Sequence, residues 1–198
     1  MAEPAKIVAK DDGRIRDMAS SREAAIDALY HVEGKAEIVG GELVLLPMTS
    51  GLHGFAVGEI VFSLHDYARR TKRGYALPDG VGFVVDLPHR WSFCADAAFT
   101  LGPLTRRFID GAPIFAAEVR SEVDYGPAAE RAMASKRADY FAAGSQVVWD
   151  VDLLRDDLVR VYRATDPVTP AIYRRGEQAE AEPALPGWSM PVDDLFPD

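Results

Sequence analysis

Within about forty residues of a 198-residue chain, three charged residues stand where the local pattern calls for apolar ones. Asp96 opens the apolar run Ala97, Ala98 and Phe99. Glu118 closes a second run, Ile114 to Ala117, and is followed by Val119. Lys136 lies inside a helix-like segment with Met133, Ala134 and Tyr140. A charge on a buried face is costly unless it meets an opposite charge, a ligand or water. A fold built from this chain must supply such partners to all three.

Helical periodicity makes the lysine's position sharp. At about 100° per residue from Ala129, the residues Ala132, Met133, Tyr140 and Ala143 fall in one arc with Lys136 at its centre. Arg131, Ser135 and Ala142 fall opposite. Two readings of Lys136 follow. Its stem packs while the ammonium reaches solvent, or the ammonium stays inside, where an unpaired charge would lower its pKa. Strand alternation places Ile114, Ala116, Glu118 and Arg120 on one face, and Asp96 on the face of Ala98. If the two strands are neighbours, their carboxylates converge, and two carboxylates repel unless a proton or cation intervenes. A hard cation such as Mg²⁺ resolves the repulsion, because it is held by one or two carboxylates and keeps several waters. A structural ion-pair network of Asp96 and Glu118 with Lys136 or Arg120 resolves it equally well.

The remaining pattern supplies a frame. Residues 1–20 read as a polar, flexible leader, and residues 21–198 as one domain. A short helix is expected from Ser21 to Glu33, capped by Ser20 or Ser21. Strands Ala36 to Val39 and Glu42 to Leu46 flank Gly40-Gly41, a good two-residue hairpin turn. Residues 53–72 form an amphipathic helix with Ala56, Val57, Ile60, Leu64, Tyr67 and Ala68 on one face and His53 at its first turn. Strand material follows around Val81 to Val85, then from Asp96 to Leu101 and from Ile114 to Val119. A second long helix covers Asp124 to Ala143 and stops at Gly144. Gln146 to Val151 and Leu158 to Tyr162 pair as a hairpin, Ala171 to Arg174 adds a strand, and the proline-bearing tail wraps in extended form. The order implies an α/β (α+β) fold, a central mixed β-sheet flanked by helices.

Composition excludes several classes. No apolar run approaches the roughly 20 residues of a membrane helix, and the N-terminus lacks the apolar core of a secretory signal. Cys94 is the single cysteine, so no intrachain disulfide or cysteine metal site forms, and a cytoplasmic location is expected. A net charge of -9 argues against coating nucleic acid by bulk electrostatics, though not against an enzyme with a local basic rim. No P-loop, Rossmann, Gly-x-Ser-x-Gly or His-Glu-x-x-His motif is present. Glu42 and His53 are secondary candidates: Glu42 reads equally as a solvated turn residue, and a lone histidine at the place of His53 is more often a core or capping residue than a ligand.

Order and spacing together resemble the PD-(D/E)XK nuclease fold, and more closely the Uma-type restriction endonucleases. The matching pieces are Glu37 to Val44, His53, Asp96 to Phe99, Ala117 to Ser121, Lys136 with Tyr140 and Gly144, Val148 to Asp152, Val161 to Arg163, Leu185 to Trp188 and Asp194 to Phe196. They span nearly the whole chain. Ala95 and Glu122 stand where such proteins usually carry proline. The resemblance implies a restriction-endonuclease-like domain that hydrolyses DNA to 5′-phosphate and 3′-hydroxyl ends. It implies Mg²⁺ (or Mn²⁺) held by Asp96, Glu118 and the Val119 carbonyl, with Lys136 assisting the attacking water. The lysine stands on the helix rather than two residues after the glutamate, where Arg120 is found, so Arg120 is the runner-up cation. Glu42 would complete a second metal position or bind through water, and His53 would contact phosphate or a metal-bound group. A homodimer would let two sites cut two strands. The rival from another class is a non-catalytic nuclease-fold protein that binds a partner or assembles, which the net acidity favours.

Overall fold

Residues 18–197 are described by a computed structural model of the chain. The helix α1 spans Met18–Leu29, so the leader expected over residues 1–20 lies, as far as residue 17, outside the described residues. The hairpin strands β1 (Lys35–Val39) and β2 (Glu42–Leu46) follow, then the long helix α2 (Gly51–Thr71). Next come β3 (Tyr75–Pro78), β4 (Gly82–Val84), β5 (Ser92–Cys94), β6 (Ala97–Thr100), β7 (Ile109–Asp110) and β8 (Phe115–Val119). Helix α3 (Pro127–Ala142) leads into β9 (Val147–Asp152), β10 (Leu158–Arg163) and β11 (Asp166–Arg174). The chain ends with β12 (Gln178–Glu180), β13 (Ser189–Pro191) and a 3-10 turn (Val192–Leu195). The short β5 and β7 carry too few residues for alternation to reveal them in sequence.

The main sheet has six strands in the order β11-β10-β9-β8-β6-β3. Only β8 and β9 run parallel, joined through α3, and the other neighbours are antiparallel. A parallel pair needs a long crossover, and α3 supplies it. The expected mixed sheet with flanking helices is therefore present.

Side-chain alternation divides the core into two faces. Phe115, Ala117 and Val119 of β8 join Ala56, Val57, Ile60 and Leu64 of α2, with Val147, Trp149 and Val151 of β9. Ala116 faces the other way, with Ala98, Val148 and Tyr140 of α3. Ile114 packs with the α2 side, because it precedes the strand rather than continuing its alternation as expected. The apolar face read for α2 matches its buried residues His53, Ala56, Val57, Ile60, Leu64 and Tyr67. Ser50 caps it, its hydroxyl accepting the His53 N–H at 3.3 Å. The tail, expected to wrap in extended form, closes the α2 side, with β12 and β13 pairing as a two-stranded sheet of their own. Trp188 lies 4.9 Å from Trp149 and 5.4 Å from Phe115 by ring centroids, joining the C-terminal segment to the central strands.

Gly74 sets the angle between α2 and the sheet edge. It has φ +60°, and a Cβ there would lie 2.4 Å from the Thr100 carbonyl oxygen and 2.4 Å from the Phe99 ring. The backbone oxygen cannot yield. Gly74→Ala is expected to destabilise the fold by about 1–3 kcal/mol in denaturant titration. An unchanged midpoint would show that β3 shifts freely against β6.

Candidate active site

Register fixes where the three misfit charges meet. Ala97 pairs with Ala117 in antiparallel register, so Asp96, at the bend before β6, lies beside Glu118 near the end of β8. Glu118 has the parity of Ala116 and so points toward α3, and the face of α3 turned inward presents Lys136 and Tyr140. The Lys136 ammonium lies 2.8 Å from Glu118 Oε2. The Tyr140 hydroxyl donates to Glu118 Oε1 at 2.7 Å. Asp96 Oδ2 accepts the Val119 N–H at 2.9 Å. The ammonium therefore stays inside rather than reaching solvent, and the side chains of Asp96, Glu118 and Lys136 are 13%, 23% and 19% exposed.

A fourth charge joins them from the hairpin. On β1, Lys35, Glu37 and Val39 share one face, which turns toward the same cavity. Glu37 Oε1 lies 2.9 Å from the Lys136 ammonium and accepts the Cys94 N–H at 2.9 Å. Its other oxygen accepts from Arg90 at 2.6 Å, and Arg90 reaches Asp139 of α3 at 2.8 Å. Asp139 also meets His89 at 2.7 Å. Sequence reading placed Glu37 only in a motif and gave it no role. Its signal was the alternation of Lys35 and Glu37 against the apolar Ala36 and Ile38, which reads equally well as a solvated hairpin face.

The other candidates fall as follows. His53 is buried with Nε2 3.4 Å from Asp96 Oδ1, and neither ring nitrogen makes a hydrogen bond among the described residues. Glu42 pairs with Val39 beside the glycine turn, is exposed, and lies outside the cavity lining. The hairpin carboxylate that the structure brings to the cluster is Glu37. Arg120 is buried and committed elsewhere, to Asp150 at 2.6 and 2.8 Å and to Glu130. That saturation separates it from the cationic position held by Lys136.

The cluster borders a cavity of about 360 Å³ lined by these side chains and by β2 and the segment after β8. Its electrostatics follow from three carboxylates, Glu37, Asp96 and Glu118, that share Lys136, Arg90 and Lys35 with one another and with Asp139 and Asp79. Burial, then Asp96 and Glu37, push the Glu118 carboxyl up to about 7, although Lys136 pulls it down. Burial alone would raise Asp96, but His53, the Val119 N–H and Lys136 outweigh it and hold Asp96 below its usual value. Burial likewise opposes ionisation of Glu37, and Lys136, Arg90 and the Cys94 N–H reverse it. Burial would lower Lys136, yet Glu118 and Glu37 raise it above the usual lysine value.

Surplus negative charge is what a hard cation would relieve. Among the described residues no three His, Cys, Asp or Glu side chains form a ready metal cage. Two adjoining carboxylates, Asp96 and Glu118, remain, with the His53 ring 3.4 Å from Asp96. Oxygen donors of that number suit Mg²⁺ or Mn²⁺, which keeps several waters. The donor set fits such a cation.

A family model described as "Putative restriction endonuclease", Uma2, matches residues 24–193. A crystal structure described as a "putative nuclease belonging to DUF820", from Anabaena variabilis, superposes with a TM-score of 0.69 at 17% identity. The match covers 86% of this chain and 96% of that one, and at this identity it shows a shared fold. No curated protein matches the sequence.

Glu118 gives a signed pH dependence. Its folded pKa of about 7 lies above the ordinary 4.5. Below the ordinary value both folded and unfolded chains hold the proton. As pH rises to about 7 the unfolded chain releases it first, so the stability this group contributes is lost across that window. In metal-free buffer, the Tm of Glu118→Gln relative to the parent should rise from pH 4.5 to pH 7 and then level. A difference that is flat with pH would contradict the assignment.

Proposed function

The chain belongs to the Uma2 family of "Putative restriction endonuclease" proteins, and from that membership we propose that it is a metal-dependent endonuclease hydrolysing phosphodiester bonds in DNA. The observation that supports the reading is the meeting of Asp96, Glu118 and Lys136 at one cavity, from the bend before β6, the end of β8 and the crossover helix. Asp96 and Glu118, with the Val119 carbonyl, are the residues that would hold Mg²⁺ or Mn²⁺. When bound, the cation supplies Lewis acidity toward water and phosphate oxygen.

The chain's own residues divide the remaining work. Lys136 has a raised pKa, so it serves as a fixed cation rather than a base. Its ammonium donates to the attacking water or to a phosphate oxygen on which charge builds. Glu37 is a positioning residue. Held by Arg90 and the Cys94 N–H, it anchors Lys136 independently of Glu118. Tyr140 orients Glu118 through its hydroxyl. Asp96, with its lowered pKa, is ionised near neutral pH.

The test is cleavage of plasmid and single-stranded DNA with Mg²⁺ or Mn²⁺, by the parent and by Asp96→Ala, Glu118→Ala and Lys136→Met. Metal-dependent cutting is expected, reduced on the order of 100-fold or more in each variant, with circular dichroism unchanged. If the charges form only a structural network, Lys136→Met leaves cleavage intact and lowers only stability, because Glu118 and Glu37 lose the cation they share. That outcome, or a folded parent that cuts no DNA with either metal, would overturn the reading.

A further inference from the structure

Ion pairing around the cavity leaves one lining cation without a carboxylate among the described residues. The cations lining it are Lys35, Arg90, Arg120, Lys136 and Arg137. Lys35 is paired with Asp79 at 2.7 Å. Arg90 lies between Glu37 and Asp139, Arg120 between Asp150 and Glu130, and Lys136 between Glu118 and Glu37. Arg137 has no carboxylate within ion-pair distance among the described residues. Its guanidinium carbon sits 3.6 Å from the centroid of the Tyr162 ring on β10.

In a chain of net charge -9, Arg107 on Tyr30 and Arg155 on Tyr125 also stack on tyrosine rings, but both are exposed and outside the cavity lining, whereas Arg137 is half-buried and lines it. A half-buried arginine in such a chain ordinarily finds a carboxylate. Stacking on an aromatic face fixes the plane of the guanidinium and leaves its N–H edge free to donate. A flat, oriented fork with unspent donors matches two oxygens of a phosphate. Lys136, the preceding residue on α3, faces the carboxylate cluster, and Arg137 stands one step around the helix on the β10 side of the same cavity.

We propose that Arg137, held flat on Tyr162, is a phosphate-binding residue that grips a nucleic-acid strand at a phosphate flanking the one to be cut. The inference rests on the nuclease reading and adds to it the direction of the strand, from the carboxylate cluster across α3 toward β10. It also accounts for how an acidic protein retains a polyanion. The cavity's other cations are neutralised within the protein, so the grip falls to the one whose charge is unspent.

The alternative role for Arg137 is a pin holding α3 to β10 through its stacking, and the test separates the two. Binding of the full-length chain to a fluorescent DNA duplex and to a single strand is measured by anisotropy across a salt series, with Ca²⁺ replacing Mg²⁺ to prevent cutting. The variants are Arg137→Gln, Arg137→Lys, Tyr162→Leu and, on the exposed side of α3, Arg131→Gln as a control, each with its melting temperature. Arg137→Gln should weaken binding on the order of tenfold near 100 mM salt and reduce the log–log salt slope by roughly 0.7–0.9. Arg137→Lys should restore the slope but only part of the affinity, because the charge returns without the fork. Tyr162→Leu should weaken binding while keeping the slope, and Arg131→Gln should change neither. In cleavage with Mg²⁺, Arg137→Gln should raise KM more than it lowers kcat. If Arg137→Gln alters melting but neither salt slope nor KM, Arg137 is a structural pin and the proposal fails while the nuclease reading stands. If the parent chain binds neither DNA, both fail.

Discussion

The ammonium of Lys136 is shared between two carboxylates that arrive from different layers of the molecule, Glu118 on the main sheet and Glu37 on the hairpin. Much of the fold serves that meeting. The parallel pairing of β8 with β9 requires a crossover, and the crossover is α3, which carries the lysine. The antiparallel pairing of β6 with β8 brings Asp96 alongside Glu118. The hairpin is fastened by the Ile38 N–H to the Ser92 hydroxyl at 2.8 Å and by the Trp91 N–H to the Ile38 carbonyl, which turns Glu37 inward. A buried ammonium with a single partner would be stranded if that partner turned to another ligand. With two, Lys136 would remain anchored on Glu37 if Glu118 turned to a cation.

Burial first, and then unequal partners, explain why neighbouring acids diverge. Asp96 and Glu118 lie side by side, yet one is pulled below the usual carboxylate range and the other pushed up to about 7. Asp96 has a backbone donor and the His53 ring, whereas Glu118 must divide Lys136 with Glu37. Pairs of titratable groups driven apart by their surroundings are a mark of sites that do chemistry, although structural networks produce them too. The Arg90 bridge between Glu37 and Asp139 extends the network toward the surface at His89 and ties the far end of α3 to the hairpin.

Much of this was legible in the sequence because it rests on short-range periodicity. The inward placement of Lys136 followed from its angular position among Ala129, Met133 and Tyr140. The face of α2, His53 included, followed from the same rule, and the parity of Glu118 from strand alternation. The glycine turn between β1 and β2 was equally plain. What was not legible depends on contacts between distant segments. Glu37 sits in a hairpin whose polar face could as well have met water, and only docking of the hairpin on β5 turns it inward. Arg90 and Asp139 lie far apart in the chain and give no local pattern. Arg120 looked available as a cation until its bidentate contact with Asp150 was visible. Glu42, to which the resemblance gave a metal position, is left exposed by the turn it follows.

The central claim is that Asp96 and Glu118 form a cation site from which Lys136 steps back without leaving the cavity. A crystal structure of the protein soaked in Mn²⁺, with anomalous data, tests this directly. The account predicts an anomalous peak within coordination distance of Asp96 and Glu118, with the Lys136 ammonium retained by Glu37. A cavity without such a peak, and with Lys136 still bridging Glu118 and Glu37, would contradict it.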